Sequence, residues 1–253
     1  HRRFSRQVAM QFTVFALSTV PDTATTRRLF RLDDLDDKAV SKVLFHRRKQ
    51  QTGSSEVLRW DQRAIASLTL IRHSEQGVQL ESLNAPQQTE EALLGALFQA
   101  ASRSSRMVAW NGEDIELPLI RFRCLKYSIG LPEYWQTRSH AAETHIDIAR
   151  WICDSETDRP TLDGVARKLG FPGMLNRSEQ TAMDAWLLGE QDEVRAFSDI
   201  SALNSYLLAL RLFAVRGEIT RQESAAALKQ LKELLVAAAP AYFSEFLSAW
   251  GRP

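Results

Sequence analysis

The chain has 253 residues, 44% of them hydrophobic, enough to bury a sizeable core as one α/β domain. Its 32 lysines and arginines against 31 acids leave a formal net charge of +1, so attraction to nucleic acid can come only from a local patch. Cys124 and Cys153 have no paired spacing; this argues against a disulfide scaffold or a zinc site and suits a reducing, cytoplasmic interior.

The elements follow in order. His1 to Ala9 carries three arginines and no apolar segment of the secretory kind. Met10 directly precedes a strand pattern, so 1–9 reads as a leader and 10–253 as a single domain. Gln11 to Ser18 alternates and is rich in Phe and Val, which predicts a strand. Asp22 to Phe45 is charged and helix-like, followed by a polar loop from Gln50 to Ser55. Ala64 to Arg72 and Val78 to Leu83 predict a hairpin turning at Glu75-Gln76-Gly77. Thr89 to Ala101 predicts a helix with Leu93, Leu94, Leu97 and Phe98 on one face, and Met107 to Trp110 a short buried strand. Leu117 to Ile129 reads as a helix whose apolar side is Leu119, Phe122 and Leu125. From Thr161 the chain is nearly all helix, broken at Pro240 before a last one carrying Phe243, Phe246 and Trp250. No apolar run approaches the roughly 18 residues of a membrane span. Strands first and helices afterwards fit a layered α/β architecture with a mixed sheet.

Three stretches carry a resemblance. Phe15-Ala16-Leu17-Ser18-Thr19-Val20-Pro21-Asp22 resembles F-D-I-E-T-V-P-D, and Trp110-Asn111-Gly112-Glu113-Asp114-Ile115-Glu116-Leu117-Pro118 resembles W-N-G-x-x-F-D-L-P. Thr161-Leu162-Asp163-Gly164 through Phe171-Pro172-Gly173 is similar to the segment leading to a third motif, Y-C-E-x-D-V, whose register Leu203-Asn204-Ser205-Tyr206 sets. These are motifs of the predicted 3′–5′ exonucleases related to the exonuclease domain of B-family DNA polymerases, in the DEDD, RNase H-like superfamily. The resemblance spans roughly residues 11–217. It implies an RNase H-like mixed sheet flanked by helices, with a helical C-terminal part.

The resemblance also implies four carboxylates holding two Mg²⁺ or Mn²⁺ ions, which activate water and stabilise the leaving oxygen. Here Ala16, Ser18 and Ser201 replace three of those acids, and Phe197 replaces the tyrosine. Only Glu116 remains, one methylene longer than the family's Asp. The family's lysine after the glycine is Met174. On a helix Phe197 and Ser201 share a face, whereas Asp199 lies about 200° from Ser201 and points elsewhere. The expectation is therefore a degenerate exonuclease-like domain, a pseudoenzyme without a metal cofactor.

Such a domain could still bind single-stranded DNA or RNA, or 3′ ends, without metal. Candidate contacts are Trp110, Asn111, Ser18 and Ser201, with Arg47 and Arg48 in the basic run His46-Arg47-Arg48-Lys49. Tyr134 and Trp135 could line a groove or cap it, and His145-Ile146-Asp147 reads as structural strand text. Two alternatives stay open: a scaffold for a protein partner, and a residual metal-dependent exonuclease using Glu116 with Asp22 or Asp199.

Overall fold

The computed structural model describes residues 10–131, 144–155 and 158–251. The expected leader, 1–9, and the Tyr134-Trp135 pair lie outside them. The strands are β1 (Phe12–Pro21), β2 (Arg63–Ser74), β3 (Gly77–Asn84), β4 (Met107–Ala109) and β5 (His145–Asp147). They form one sheet in the order β3-β2-β1-β4-β5. β1 pairs antiparallel with β2 and parallel with β4; β2 pairs antiparallel with β3, and β4 parallel with β5. This is an α/β, RNase H-like mixed sheet.

β1 is covered on both sides, which is why its text is almost continuously apolar. Phe12, Val14 and Ala16 face one layer and Phe15 and Leu17 the other, as the period of two requires. The second layer is built from α3 (Glu90–Arg103) and α4 (Leu117–Tyr127), which contribute Leu93, Leu94, Leu97, Leu119 and Ile120. Between β2 and β1 the chain forms α1 (Thr23–Phe30), capped by Asp22, and α2 (Asp37–Thr52), capped by Asp36. The basic run expected in or beside a loop lies inside α2. That helix continues to Thr52 because Gly53, at φ 80°, supplies the left-handed residue that ends it.

The first layer is helical. After α5 (Ile148–Ile152) come α6 (Leu162–Lys168), α7 (Glu179–Leu188) and α8 (Gln191–Val215). Two further helices, α9 (Arg221–Ala237) and α10 (Ala241–Ala249), complete it. α8 is buried almost all round; Ile200, Leu203, Tyr206 and Leu207 pack on β1 and β2, while Leu231, Phe243 and Phe246 close its outer side.

The apolar stripe on α4 departs from the expected one. Leu125 is 80% exposed, and Arg123 is buried in its place. Arg123 is held by ion pairs to Asp22 and Glu90, and Tyr127 Oη donates to the same Glu90 at 2.7 Å. A cation enters a core when two carboxylates meet it, and an apolar-periodicity argument is blind to that.

Candidate functional site

A cavity of about 490 Å³ opens on the side of the sheet covered by α8. Its walls come from the middle of β1 (Phe15, Ala16, Leu17), the segment after β4 (Trp110, Asn111, Ile115, Glu116), α6 and the stretches flanking it (Arg159, Leu162, Asp163, Met174, Arg177), the start of α7 (Glu179), and α8 (Phe197, Ser201, Ser205). The resemblance assigned Ala16, Glu116, Phe197 and Ser201 to one site, and all four line this cavity.

Each wall has a local cause. β4 ends at Ala109, and Gly112–Glu116 forms a π-helical turn before Pro118 starts α4 regularly. Gly112 allows that turn to press on β5: a Cβ there would stand 2.5 Å from His145 Nε2 and 3.0 Å from the Ala109 Cβ. Asp147 accepts the main-chain N–H of Glu113 at 3.0 Å, tying the turn to β5. The loop after α6 is equally fixed. Asn204 on α8 accepts from the Gly173 N–H at 3.1 Å and donates to the Gly173 carbonyl at 2.8 Å. Asp163 accepts the Met174 N–H at 2.8 Å. Gly173, at φ 73°, admits no side chain, because a Cβ would meet Asp163 Oδ1 at 2.5 Å. The framework text of the motifs thus places Met174 against Ser201, whose hydroxyl lies 3.7 Å from its sulfur.

Glu116 is half-buried, but its Oε2 is closed off from solvent and has no hydrogen-bond partner. Burial, then the charge of Asp147, lifts its carboxyl to about 8 against a supporting Leu17 N–H; Glu179 adds a smaller push upward. Ser205 Oγ is also buried and unpartnered. Asn111 Oδ1 accepts from Arg159 at 2.8 Å, and Arg159 also pairs with Asp114. Arg177 is paired with Glu193 at 3.1 Å and Glu245 at 3.2 Å, and Glu179 with Arg63 at 2.9 Å.

Other expected contacts lie elsewhere. Ser18 is fully buried and donates to the Val194 carbonyl at 2.6 Å, so its hydroxyl ties β1 to α8 and does not line the cavity. Arg47 stacks on Phe30 with its guanidinium 3.9 Å from the ring centre, and Arg48 donates to the Val57 carbonyl at 2.9 Å; neither lines the cavity. Asp199 is fully buried between Thr69 and Tyr242, each at 2.6 Å, pointing away from Ser201 as the helix geometry requires. Asp22 is committed to Arg123 and to Lys126 at 2.9 Å. His145 and Asp147 are buried strand residues. Among the cavity residues that sequence reasoning missed are Arg159 and Arg177. No local pattern marks them, since their partners are brought in by folding from as far as Glu245.

Among the described residues, no group of three or more His, Cys, Asp and Glu side chains is placed to hold a metal ion. Among those residues, too, no helix is long and apolar enough to cross a membrane. A family model described as a predicted 3′–5′ exonuclease related to the exonuclease domain of PolB matches residues 55–250. The match begins after β1, so it does not include Ala16 or Ser18. No curated protein matches the chain.

Proposed function

The chain belongs to that family of predicted 3′–5′ exonucleases, and on this footing we propose that it binds the end of a single nucleic-acid strand without metal and does not cleave it. The observation that carries this reading is the chemistry of the cavity wall. At the family's acid positions this wall offers a methyl group, a hydroxyl facing a thioether, and one carboxyl; its other carboxylates, Asp163 and Glu179, are taken by the Met174 N–H and by Arg63. That donor set does not fit a pair of divalent cations, which demand several hard oxygen ligands. Phe197 also removes the hydroxyl that could orient water.

What the wall offers instead is apolar surface and aromatic rings. Trp110, Phe15 and Phe197 line a volume within the usual range of small-ligand sites. Stacking of a base on aromatic side chains contributes about 1–3 kcal/mol and tolerates any sequence. With the acids gone, no cluster of uncompensated carboxylates repels the strand. The entering group on this reading is a base, with phosphates following at the mouth.

The test is fluorescence anisotropy of short labelled DNA and RNA strands in EDTA. Single strands with a free 3′ end bind, a hairpin with a blunt closed end binds weakly, and added Mg²⁺ changes neither.

One observation favours a second reading, a scaffold for a protein partner. Both arginines of the cavity, Arg159 and Arg177, are already ion-paired, so the wall carries little free positive charge for phosphates. Absence of binding to any strand at about 50 mM salt, where nonspecific phosphate contacts are strongest, selects it.

A further inference from the structure

We propose that a second groove, which shares a wall with the cavity, is a phosphate track that holds the backbone of the nucleotides preceding the captured end. This rests on the reading that the cavity takes the end of a strand, and it deepens that reading by naming where the rest of the strand runs.

The groove, of about 640 Å³, is lined by Asp163, Arg167 and Lys168 of α6, by Phe171 just after it, and by Leu175 and Asn176. Little separates it from the cavity. Asp163 lines both spaces, and the turn 174–177 gives Met174 and Arg177 to the cavity and Leu175 and Asn176 to the groove. That turn is closed by the Arg177 N–H, which donates to the Met174 carbonyl at 2.9 Å. Leu175 at φ 52° and Asn176 at φ 64° are both left-handed. Asparagine tolerates that region, but leucine rarely enters it, so the surroundings hold the turn in place. The clasp of Gly173 by Asn204 and the bond from the Met174 N–H to Asp163 are the contacts that do so.

The groove supplies the unpaired positive charge that the cavity lacks. Lys168 and Arg211 are exposed and, among the described residues, neither is ion-paired with a carboxylate. Arg211 reaches the site from α8, its guanidinium 5.6 Å from the centre of the Phe171 ring. Arg167 is 70% exposed and meets Asp163 only at 3.7 Å. Asp163 is the one acid on the groove, and its other oxygen already accepts the Met174 N–H. Three cations against one acid give this small region a charge of +2, where the whole chain carries +1. Arg167 and Lys168 stand in the last turn of α6, where the helix dipole favours cations. Arg211 comes from another helix and from before its last turn, so no dipole calls for it there. Exposed lysine and arginine heads suit phosphate oxygens, and the exposed Asn176 amide can donate beside them.

The experiment compares a trinucleotide with a hexanucleotide of the same 3′ end, by anisotropy in EDTA over a range of salt. The trinucleotide has only the phosphates that can sit at the cavity mouth, and the hexanucleotide extends into the groove. Its slope of log affinity against log salt is steeper by about 1.4, from two unpaired cations at roughly 0.7 per neutralised phosphate. Lys168→Ala with Arg211→Ala removes that increment and leaves the trinucleotide unaffected. Uncharged methylphosphonates in place of the outer phosphates remove it on the natural chain, so a misfolded variant cannot obscure the result. Equal slopes for the two strands on the natural chain overturn the inference while leaving capture of the end intact. An increment that survives in the folded double variant also overturns it. So does a glutamate-rich peptide that displaces the hexanucleotide as well as a DNA strand of equal charge, which would make the groove a site for an acidic protein segment. Failure of both strands to bind removes the parent reading, and this one with it.

Discussion

Ser201 Oγ and the Met174 sulfur lie 3.7 Å apart on the cavity wall, a neutral contact where the family has an acid and a lysine. It is a contact that packs, with no charge on either side. With Mg²⁺ or Mn²⁺, end-labelled single strands therefore stay intact at protein concentrations that digest them for active relatives. Shortening from the 3′ end that EDTA stops and Glu116→Ala abolishes would contradict this.

Restoring acids tests the same contact from the other side. Ala16, Glu116 and Ser201 all line the cavity, whereas Ser18 does not. The triple variant Ala16→Asp, Glu116→Asp, Ser201→Asp thus brings three carboxylates to one space. Without metal it melts below the natural chain through mutual repulsion, and Mn²⁺ raises its melting temperature in proportion to the metal bound. The natural chain shows no such rise. Any single reversion does little, because groups that act as a unit are not additive.

Glu116 also sets a pH dependence. Unfolded, its carboxyl ionises near the ordinary 4.5; folded, it keeps its proton to about 8. Between those values the folded state binds more protons than the unfolded one, so stability falls as pH rises and levels off above about 8. Glu116→Gln removes this loss. Its melting temperature gains on that of the natural chain steadily from pH 5 to pH 8; a constant difference across that interval would show a carboxylate that is ionised in the fold.

The buried Arg123 network behaves in the opposite sense. Burial works against ionisation of Asp22, but hydrogen bonds from Arg123, Lys126 and the Thr25 N–H outweigh it and hold the carboxyl at about 2, below the usual 3.8. The stability it lends is complete above about 3.8 and is lost as pH falls through about 2. Asp22→Ala leaves Glu90 as the one carboxylate paired with the guanidinium among the described residues and costs about 3–5 kcal/mol, measurable by urea unfolding at pH 7. Because Asp22 lines no part of the cavity, strand affinity of the folded variant is unchanged.

Much of this was legible because the framework text has local physical reasons. Phe12 to Leu17 alternates between two covered faces, Gly173 avoids Asp163, and Asn204 clasps Gly173. Each is a constraint that a residue type records. The functional wall was legible only where a motif fixed the position, as for Ala16, Glu116, Phe197 and Ser201. Ser18 shows the limit: a hydroxyl in a motif looks available, but the Val194 carbonyl 2.6 Å away takes it. Arg47 and Arg48 show another, since four basic residues in a row say nothing about which face of the fold α2 occupies. Arg159, Arg177 and the burial of Arg123 depend on partners distant in sequence, and no window of text contains them.

Salt separates base-led from phosphate-led binding. Among the described residues, the basic side chains that line the cavity are Arg159 and Arg177, and both are paired. Two phosphate contacts at most give a slope of log affinity against log salt of about −1.4, at roughly −0.7 per neutralised phosphate. Arg47→Ala with Arg48→Ala leaves that slope in place. A slope steeper than about −3 that the double substitution relieves by one unit or more would put the strand on α2 instead.

The most direct measurement is photocrosslinking of a strand whose 3′-terminal base is a 4-thiopyrimidine, bound in EDTA and mapped by mass spectrometry. Insertion of the end into the cavity predicts adducts on Trp110, Met174 or Phe197, lost when an unlabelled strand competes. Adducts confined to α2, or no adduct under conditions where the strand is bound, would contradict metal-free capture of the end in this cavity.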